Sequence, residues 1–398
     1  MKNIIKLLVL LPLFTMTACD DLFEPAIENN RDLDAMYSDP DYALGVLANG
    51  YILLPYNTSP TSDVATDDAV SNDNSNTWRA MATGAWTSQN DPASQWKNCY
   101  NAIQYLNLFL ERVESVPFSQ TENIQTMFVD SYSGEAYGLR AVYMYFLLRA
   151  HGGIGTDGQL LGVPIKTVSE SPESDFSQPR DTYAACIEQI LSDCDKAIEL
   201  LPLDYKDGHT ESEIPQKYLD LGINTDQYDR VNGVYRAGRI SGRIVEAVRA
   251  QVALMAASPA FDESGITWEE AANSAGTVLQ RIDGINGIDA DGYTWYCNTS
   301  EIAGLGNGSN PQEIIWRASY SDSNTLEGDN FPPSLYGNGR VNPTQNLVDA
   351  FPMANGYPID NSNSEYDASN PYENRDPRLA TYIITNGSTA GSATITTG

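Results

Sequence analysis

Six stretches of apolar residues recur at helical spacing along this chain, and they restrict it to a fold of packed helices. The first follows Asp39-Pro40, an N-cap with proline at the first helical position, and carries Leu44, Leu47, Tyr51 and Leu54. Asp91-Pro92 repeats the start signal ahead of Trp96, Cys99, Ile103, Leu106, Leu110 and Val113. A third helix runs from about Glu122, with Ala136, Leu139, Val142, Tyr143, Phe146, Leu147 and Ala150 on one face. His151-Gly152-Gly153 should end it through a left-handed glycine cap. Asp181 opens, and Pro202 stops, a stripe of Tyr183, Ile187, Ile190, Leu191, Cys194, Ala197, Ile198 and Leu201. Arg239 to Ser258 is Ala-rich and apolar on more than one side, hence buried. Thr267-Trp268-Glu269-Glu270 is a capping box, followed by a stripe of Trp268, Ala271, Ala272, Ala275, Leu279 and Ile282. Stripe membership puts Trp96 and Trp268 in the core, and an alternating run puts Trp316 there.

The expected fold class is therefore mainly α: a tetratricopeptide-like helix-pair scaffold with long loop insertions. The helix starts keep no strict 34-residue period. Three long segments interrupt the helices, at residues 56–91, 152–180 and 202–238. From 284 onward Gly, Asn and Asp dominate, with short strand-like pieces such as Glu313 to Ser319. Asn342-Pro343-Thr344-Gln345 caps one more short helix carrying Leu347, Val348 and Phe351. Residues 386–398 are small and polar, which predicts disorder or a truncated tail.

The N-terminus gives a location. Lys2 and Lys6 precede an apolar run from Ile4 to Phe14 that is too short to span a bilayer, and Met16-Thr17-Ala18-Cys19 follows as a lipobox. Residues 1–18 are thus expected to be a lipoprotein signal peptide, with Cys19 lipidated. Residues 19–37 form an acidic tether, and residues 38–385 form the helical domain. The net charge is −30, and losing residues 1–18 removes two lysines and no acids, leaving −32. Such a surface excludes nucleic acid as a partner, because phosphate binding needs a basic face. It also makes acyl chains, not charge, the means of holding a membrane. Of five cysteines, Cys186 and Cys194 lie eight apart on one helix, too far to bridge. Cys99 and Cys297 could pair only if the fold brings them together. With only His151 and His209 present, and no motif around either, a His-dependent nucleophile or zinc site is unsupported.

Several stretches in order resemble the SusD/RagB family of outer-membrane nutrient-binding lipoproteins. They are the lipobox with acidic Asp20, Asp21 and Glu24 behind it, and Trp96-Lys97-Asn98-Cys99-Tyr100 leading to Asn107. Next come Glu135-Ala136 through Leu139-Arg140-Ala141-Val142-Tyr143, then Gly152-Gly153-Ile154 and Gly162-Val163-Pro164-Ile165. The Ala-rich Gly242 to Pro259 and Glu313-Ile314-Ile315-Trp316 follow. Asn342 to Phe351 and Asn374-Arg375-Asp376-Pro377-Arg378-Leu379 complete the series. Family members usually continue well beyond that last segment, so the resemblance implies a chain short at its C-terminus. It also implies an outer-membrane, lipid-anchored protein facing the cell exterior. Such a protein captures oligosaccharides, without catalysis, for a SusC-like TonB-dependent transporter. A peptide-binding member of the same scaffold, or a surface glycoside hydrolase, is the alternative.

Glycan binding needs flat aromatic faces for C–H surfaces and planar polar groups for hydroxyls. Trp78 and Trp86 sit in a polar loop outside any stripe, with Asn74 and Arg79 beside them; they either present a platform or pack the loop down. Trp295 and Tyr296 lie in a Gly-rich loop, in a region that feeds the ligand site in the family, and Tyr320 follows a strand-like run. These seven are the candidate ligand-binding residues. No cofactor is expected. Asp289-Ala290-Asp291-Gly292 is like a fragment of a calcium loop, but Asp283 and Glu301 fall at the wrong spacing. Arg375 and Arg378 are expected to tie loops through ion pairs.

Overall fold

The computed structural model describes residues 38–55, 61–288, 314–318 and 323–396. Six long helices make the scaffold: α1 (Pro40–Ile52), α2 (Trp96–Leu110), α3 (Glu122–His151), α4 (Tyr183–Leu200), α5 (Gly242–Ala256) and α6 (Trp268–Gln280). They pack as a chain of neighbours, α1 on α2, α2 on α3, α3 on α4, α4 on α5 and α5 on α6. This is the repeated side-by-side stacking of a tetratricopeptide-like scaffold.

Local chemistry sets most of the boundaries. The Asp39 carboxylate accepts from the Asp41 and Tyr42 amides at 3.1 and 3.4 Å, and Pro40 opens α1. Thr267 and Glu270 close their capping box at α6. Three boundaries differ from the sequence expectation. Asp91-Pro92 forms a turn, Asp91 Oδ1 accepting from the Ala93 amide at 2.9 Å, and α2 starts only at Trp96 with Gln95 as its N-cap. Thr182, not Asp181, caps α4 by accepting from the Ala185 amide, while the Asp181 carboxylate accepts from the Ile165 amide at 2.8 Å. Gly152, the C-cap of helix α3, is not left-handed, and the positive φ falls one residue later, at Gly153 (φ 155°). Gly152 leaves the helix extended (φ −71°, ψ 150°), and the need for glycine is spatial, since a β-carbon there would stand 2.5 Å from the Leu148 carbonyl oxygen.

Helix α3 spans about 45 Å at 1.5 Å per residue and is the central element. Its second half is buried on nearly every side, beyond the single apolar face expected, because α2 and α4 cover it and α1 and α5 also touch it. Leu47, Ile103, Leu106, Phe109, Leu139, Tyr143, Leu147 and Tyr183 are fully buried there. A second cluster of Ile124, Met127, Ile214, Tyr218, Ile223, Tyr228 and Val231 packs the 202–238 excursion onto the first half of α3.

Two buried ionic networks fix how the helices meet. Arg140 on α3 grips the Asp193 carboxylate of α4 with two hydrogen bonds of 2.7 Å, and donates to the Asn107 Oδ1 of α2 at 2.8 Å. Asn107 in turn donates to the Lys166 and Val168 carbonyls, tying the loop after α3 onto α2. In the second network Glu135 is fully buried between Arg236 and Arg239, and accepts from the Tyr51 hydroxyl at 2.5 Å. Burial and the adjacent carboxylate push the Tyr51 phenol well above its ordinary pKa, so it remains a donor. Charges this deep require such pairing.

Two expectations about the core fail, and one about a strand. Trp96 is 43% exposed: it starts α2 on the outer side, with its ring edge-on to Tyr100 and His151. Trp268 is 58% exposed, and of its stripe only Ala271 is buried; among the described residues α6 packs chiefly against α5, on one side. Residues 314–318 are not a strand, although Trp316 does pack against the core and donates to the Gly238 carbonyl at 2.8 Å. At the C-terminal end, composition predicts no structure, yet Thr389–Ala390 and Ala393–Thr394 pair as a hairpin with Ile395 buried behind it.

Candidate functional site

The polar segment after α1 is built more firmly than its composition suggests. Ser62–Ala65 forms a 3-10 turn, and Ala69–Ser71 forms a strand, β1. The hairpin strands after α3 are β2 (Gly153–Ile154) and β3 (Leu160–Leu161), and β4 is Val341–Pro343. β1 pairs antiparallel with β4, 270 residues on in the register Val341 to Ser71. The clamp continues at both ends. Thr344 donates to the Asp67 carbonyl through its hydroxyl and to the Asp68 carbonyl through its amide. Beyond Ser71, the Asn72 amide donates to the Arg340 carbonyl at 3.2 Å, and its side chain donates to the Asn338 carbonyl at 3.2 Å. Asn342-Pro343-Thr344, read in the sequence as a helix cap, thus has two jobs. Thr344 caps Gln345–Ala350, and the residues before it hold the loop of residues 61–91.

From the Asn72 end of this ladder the chain makes a succession of side-chain-supported turns. Ser75 donates to Asp73 Oδ1 from its amide and its hydroxyl, at 2.9 and 2.7 Å, and these bonds hold the Asp73 carboxyl below the usual carboxylate range. The Trp78 amide donates to Asn76 Oδ1 at 2.9 Å. The helical turn Arg79–Ala82 follows, and the Trp86 amide folds back onto the Ala80 carbonyl at 3.2 Å. These turns enclose an open cleft of about 410 Å³ lined by Asn74, Ser75, Asn76, Thr77, Arg79, Ala80, Thr83 and Asn90. The Arg79 guanidinium donates to Asn74 Oδ1 inside it.

The seven sequence candidates divide as follows. Asn74 and Arg79 are brought together in the cleft. Neither tryptophan lines the cleft: Trp86 is 49% exposed, with its backbone amide bonded to the Ala80 carbonyl, and Trp78 is half-buried just before the helical turn. Trp295, Tyr296 and Tyr320 lie outside the described residues, as do Cys19, Cys297 and the Asp289 to Gly292 segment. The Arg375 expectation needs correction. Its guanidinium is buried and donates to the Val348, Phe351 and Pro371 carbonyls, so it ties the loop by backbone contacts; Arg378 does make its ion pair, with Asp376 at 2.7 Å. One residue escaped the sequence reading. Tyr336 stands 98% exposed in the loop that feeds β4. Its setting, Leu335-Tyr336-Gly337-Asn338-Gly339, carries a strong turn signal around an aromatic, which could have singled it out.

The cleft can bind but offers little for chemistry. Its lining holds amides, hydroxyls and one guanidinium, and none of its eight residues is a carboxylate or histidine. Among the described residues, no group of three or more His, Cys, Asp or Glu is placed to hold a metal. The thiols of Cys99 and Cys194 are pushed up to about 12 by burial, which makes them inert core groups.

Comparison with known proteins bears on both sides of the β1–β4 ladder. Residues 41–217 match a family described as starch-binding associating with outer membrane, and residues 312–396 match the SusD family. SusD-like protein P38 of Formosa agariphila is 31% identical over 104 residues, which is 26% of this chain and 17% of that protein. A SusD-like protein from Bacteroides fragilis superposes with a TM-score of 0.63 at 21% identity, covering 90% of this chain and 62% of that one. A SusD-like carbohydrate binding protein from the same species gives 0.59 at 18%, covering 89% and 61%. The chain thus spans less than two thirds of the length of these relatives. Asn107, Glu135 and Arg140, which lie in the stretches that carry the sequence resemblance, sit at the hubs of the buried networks. The protein belongs to the SusD/RagB family.

Proposed function

We propose that this protein is a cell-surface glycan-binding lipoprotein that captures oligosaccharides and passes them to a SusC-like TonB-dependent outer-membrane transporter, without acting on them chemically. The observation that carries this reading is the cleft at residues 74–90. Planar amide and guanidinium groups converge in it, a half-exposed tryptophan follows in the same loop, and a long-range ladder anchors the chain that leads into it. Sugars are recognised by this combination of hydroxyl partners and apolar faces. The match to a starch-binding family spans the whole cleft. Glycoside hydrolysis needs two carboxylates facing each other across the bound sugar, and the cleft lining supplies none.

Cys19 is the proposed lipid anchor, the acidic residues to about 37 the tether, and the outer membrane the site of attachment. Trp295, Tyr296 and Tyr320 remain proposed contributors to the ligand face, with half-buried Trp78 as the weaker of the two loop tryptophans beside the more exposed Trp86. The reading requires no cofactor.

Calorimetry tests it directly. Malto-, cello-, laminari- and xylo-oligosaccharides of six or seven units are titrated into the protein, with tri- to hexapeptides as the rival set, and the mixtures are assayed for new reducing ends. Saturable heat with at least one glycan, none with the peptides, and no new reducing ends is the expected result. Binding confined to peptides would overturn the glycan reading, and accumulating reducing ends would overturn the absence of catalysis.

A further inference from the structure

The loop before β4 holds an aromatic ring that the fold itself does not use. Tyr336 is 98% exposed, so its ring buries almost nothing. Its backbone is left-handed, with φ at +64°, a conformation in which a β-carbon is disfavoured and glycine or asparagine is the usual occupant. Neither packing nor backbone fit accounts for a tyrosine at this position. Strain of this sort persists only where the surroundings impose it, and here they do. Tyr336 and Gly337 donate to the Pro333 and Pro332 carbonyls, Asn338 to Gly328, Gly339 to Phe331 and Arg340 to Asp329. The ring is therefore carried on a backbone held by five hydrogen bonds.

Its position is fixed relative to the cleft. Because β1 and β4 are antiparallel, the chain leaving β1 and the chain entering β4 emerge from the same end of the ladder. Asn72 and Asn338 are directly hydrogen-bonded there. Asn74 is two residues beyond the first, and Tyr336 is two residues before the second. With Cα atoms 3.8 Å apart along the chain, and the side-chain bridge between Asn72 and Asn338, the Asn74 and Tyr336 backbones stand within about 25 Å of each other.

We propose that Tyr336 is a ligand-contacting residue, its phenol ring a stacking platform for an outer pyranose of an oligosaccharide whose other units occupy the Asn74–Arg79 cleft. This rests on the glycan-binding reading above. The loop backbone fixes where the ring is attached, and a tyrosine has only two side-chain torsions to lose on binding, which keeps the entropic cost of such a contact low.

The test compares wild type with Tyr336→Gly and Tyr336→Phe. Each is titrated with the hexa- and heptasaccharide that wild type binds best from the panel above, and each is melted in the absence of sugar. Glycine suits the left-handed backbone, so Tyr336→Gly should melt at or above the wild-type temperature. It should nevertheless bind the oligosaccharide about five- to tenfold more weakly, the scale of an interface anchor. Tyr336→Phe keeps the ring and should bind as wild type does. Undiminished binding by Tyr336→Gly would overturn the inference and leave the glycan reading standing. A loss by Tyr336→Phe equal to that of Tyr336→Gly would overturn the stacking role. Wild type binding none of the panel would overturn both.

Discussion

Replacing Arg140 with leucine is expected to destabilise the chain by about 3–5 kcal/mol, the cost of leaving one member of a buried pair without its partner. Asp193 is fully buried and Arg140 is 3% exposed, so water cannot solvate the orphaned carboxylate. The loss spreads further than one pair. Asn107 Oδ1 loses its donor, and the carbonyl of Thr167, 3.3 Å from the guanidinium, loses a partner too. The junction of α2, α3 and α4 with the 163–170 loop therefore loosens together. Equilibrium unfolding in urea measures the effect, and the double variant Arg140→Leu/Asp193→Leu sharpens it. Removing both charges should cost less than removing the arginine alone, because the penalty comes chiefly from the stranded charge. A single variant within 0.5 kcal/mol of wild type, about the range of an ordinary surface change, would show that the pair does not hold the helices.

Removing Arg79 and Trp86 together should cost at least about tenfold in glycan affinity, or ~1.4 kcal/mol, with the fold left intact. Arg79 is the cationic, multidentate donor of the cleft, and its bond to Asn74 sets the floor on which sugar hydroxyls would rest. Trp86 is half-exposed, so its removal opens no cavity in the core. The thermal midpoint of Arg79→Ala/Trp86→Ala should therefore stay close to wild type, and a sugar titration should show the loss. Asn74→Ala alone is expected to show a smaller loss, since Arg79 would keep its charge but lose its orientation. Wild-type affinity in the double variant would move the site away from this cleft.

Helices were legible in the sequence because their signals are local. Asp39-Pro40 and the Thr267–Glu270 box set their helix starts as read, and the stripes of α2 and α4 point inward at Cys99, Ile103, Leu106, Ile187, Ile190 and Cys194. Periodicity reveals which face is apolar but not whether anything covers it. Trp96 and Trp268 sit on correct stripes, but Trp96 lies at the very start of α2 and Trp268 at the start of α6, where the described residues leave both exposed. The cleft was half legible. Asn74, Arg79 and Trp86 stood out as planar and aromatic groups in a polar loop. The device that shapes the loop was not legible, because it pairs Val70 with Asn342 across most of the chain. Only tertiary structure reports such a contact. Tyr336 carries a local turn signal in the sequence, but its relation to the cleft comes only from the ladder, whose end joins Asn338 to Asn72.

The central claim is that the loop clamped by β1 and β4 is where an oligosaccharide binds. Hydrogen–deuterium exchange of the full chain, with and without a saturating oligosaccharide from the panel, tests it most directly, because bound sugar slows local opening of the backbone it covers. The account predicts added protection in residues 72–90 and 331–340, with α5 and α6 unchanged. Protection concentrated on α5 and α6, with exchange in 72–90 unaltered, would contradict it.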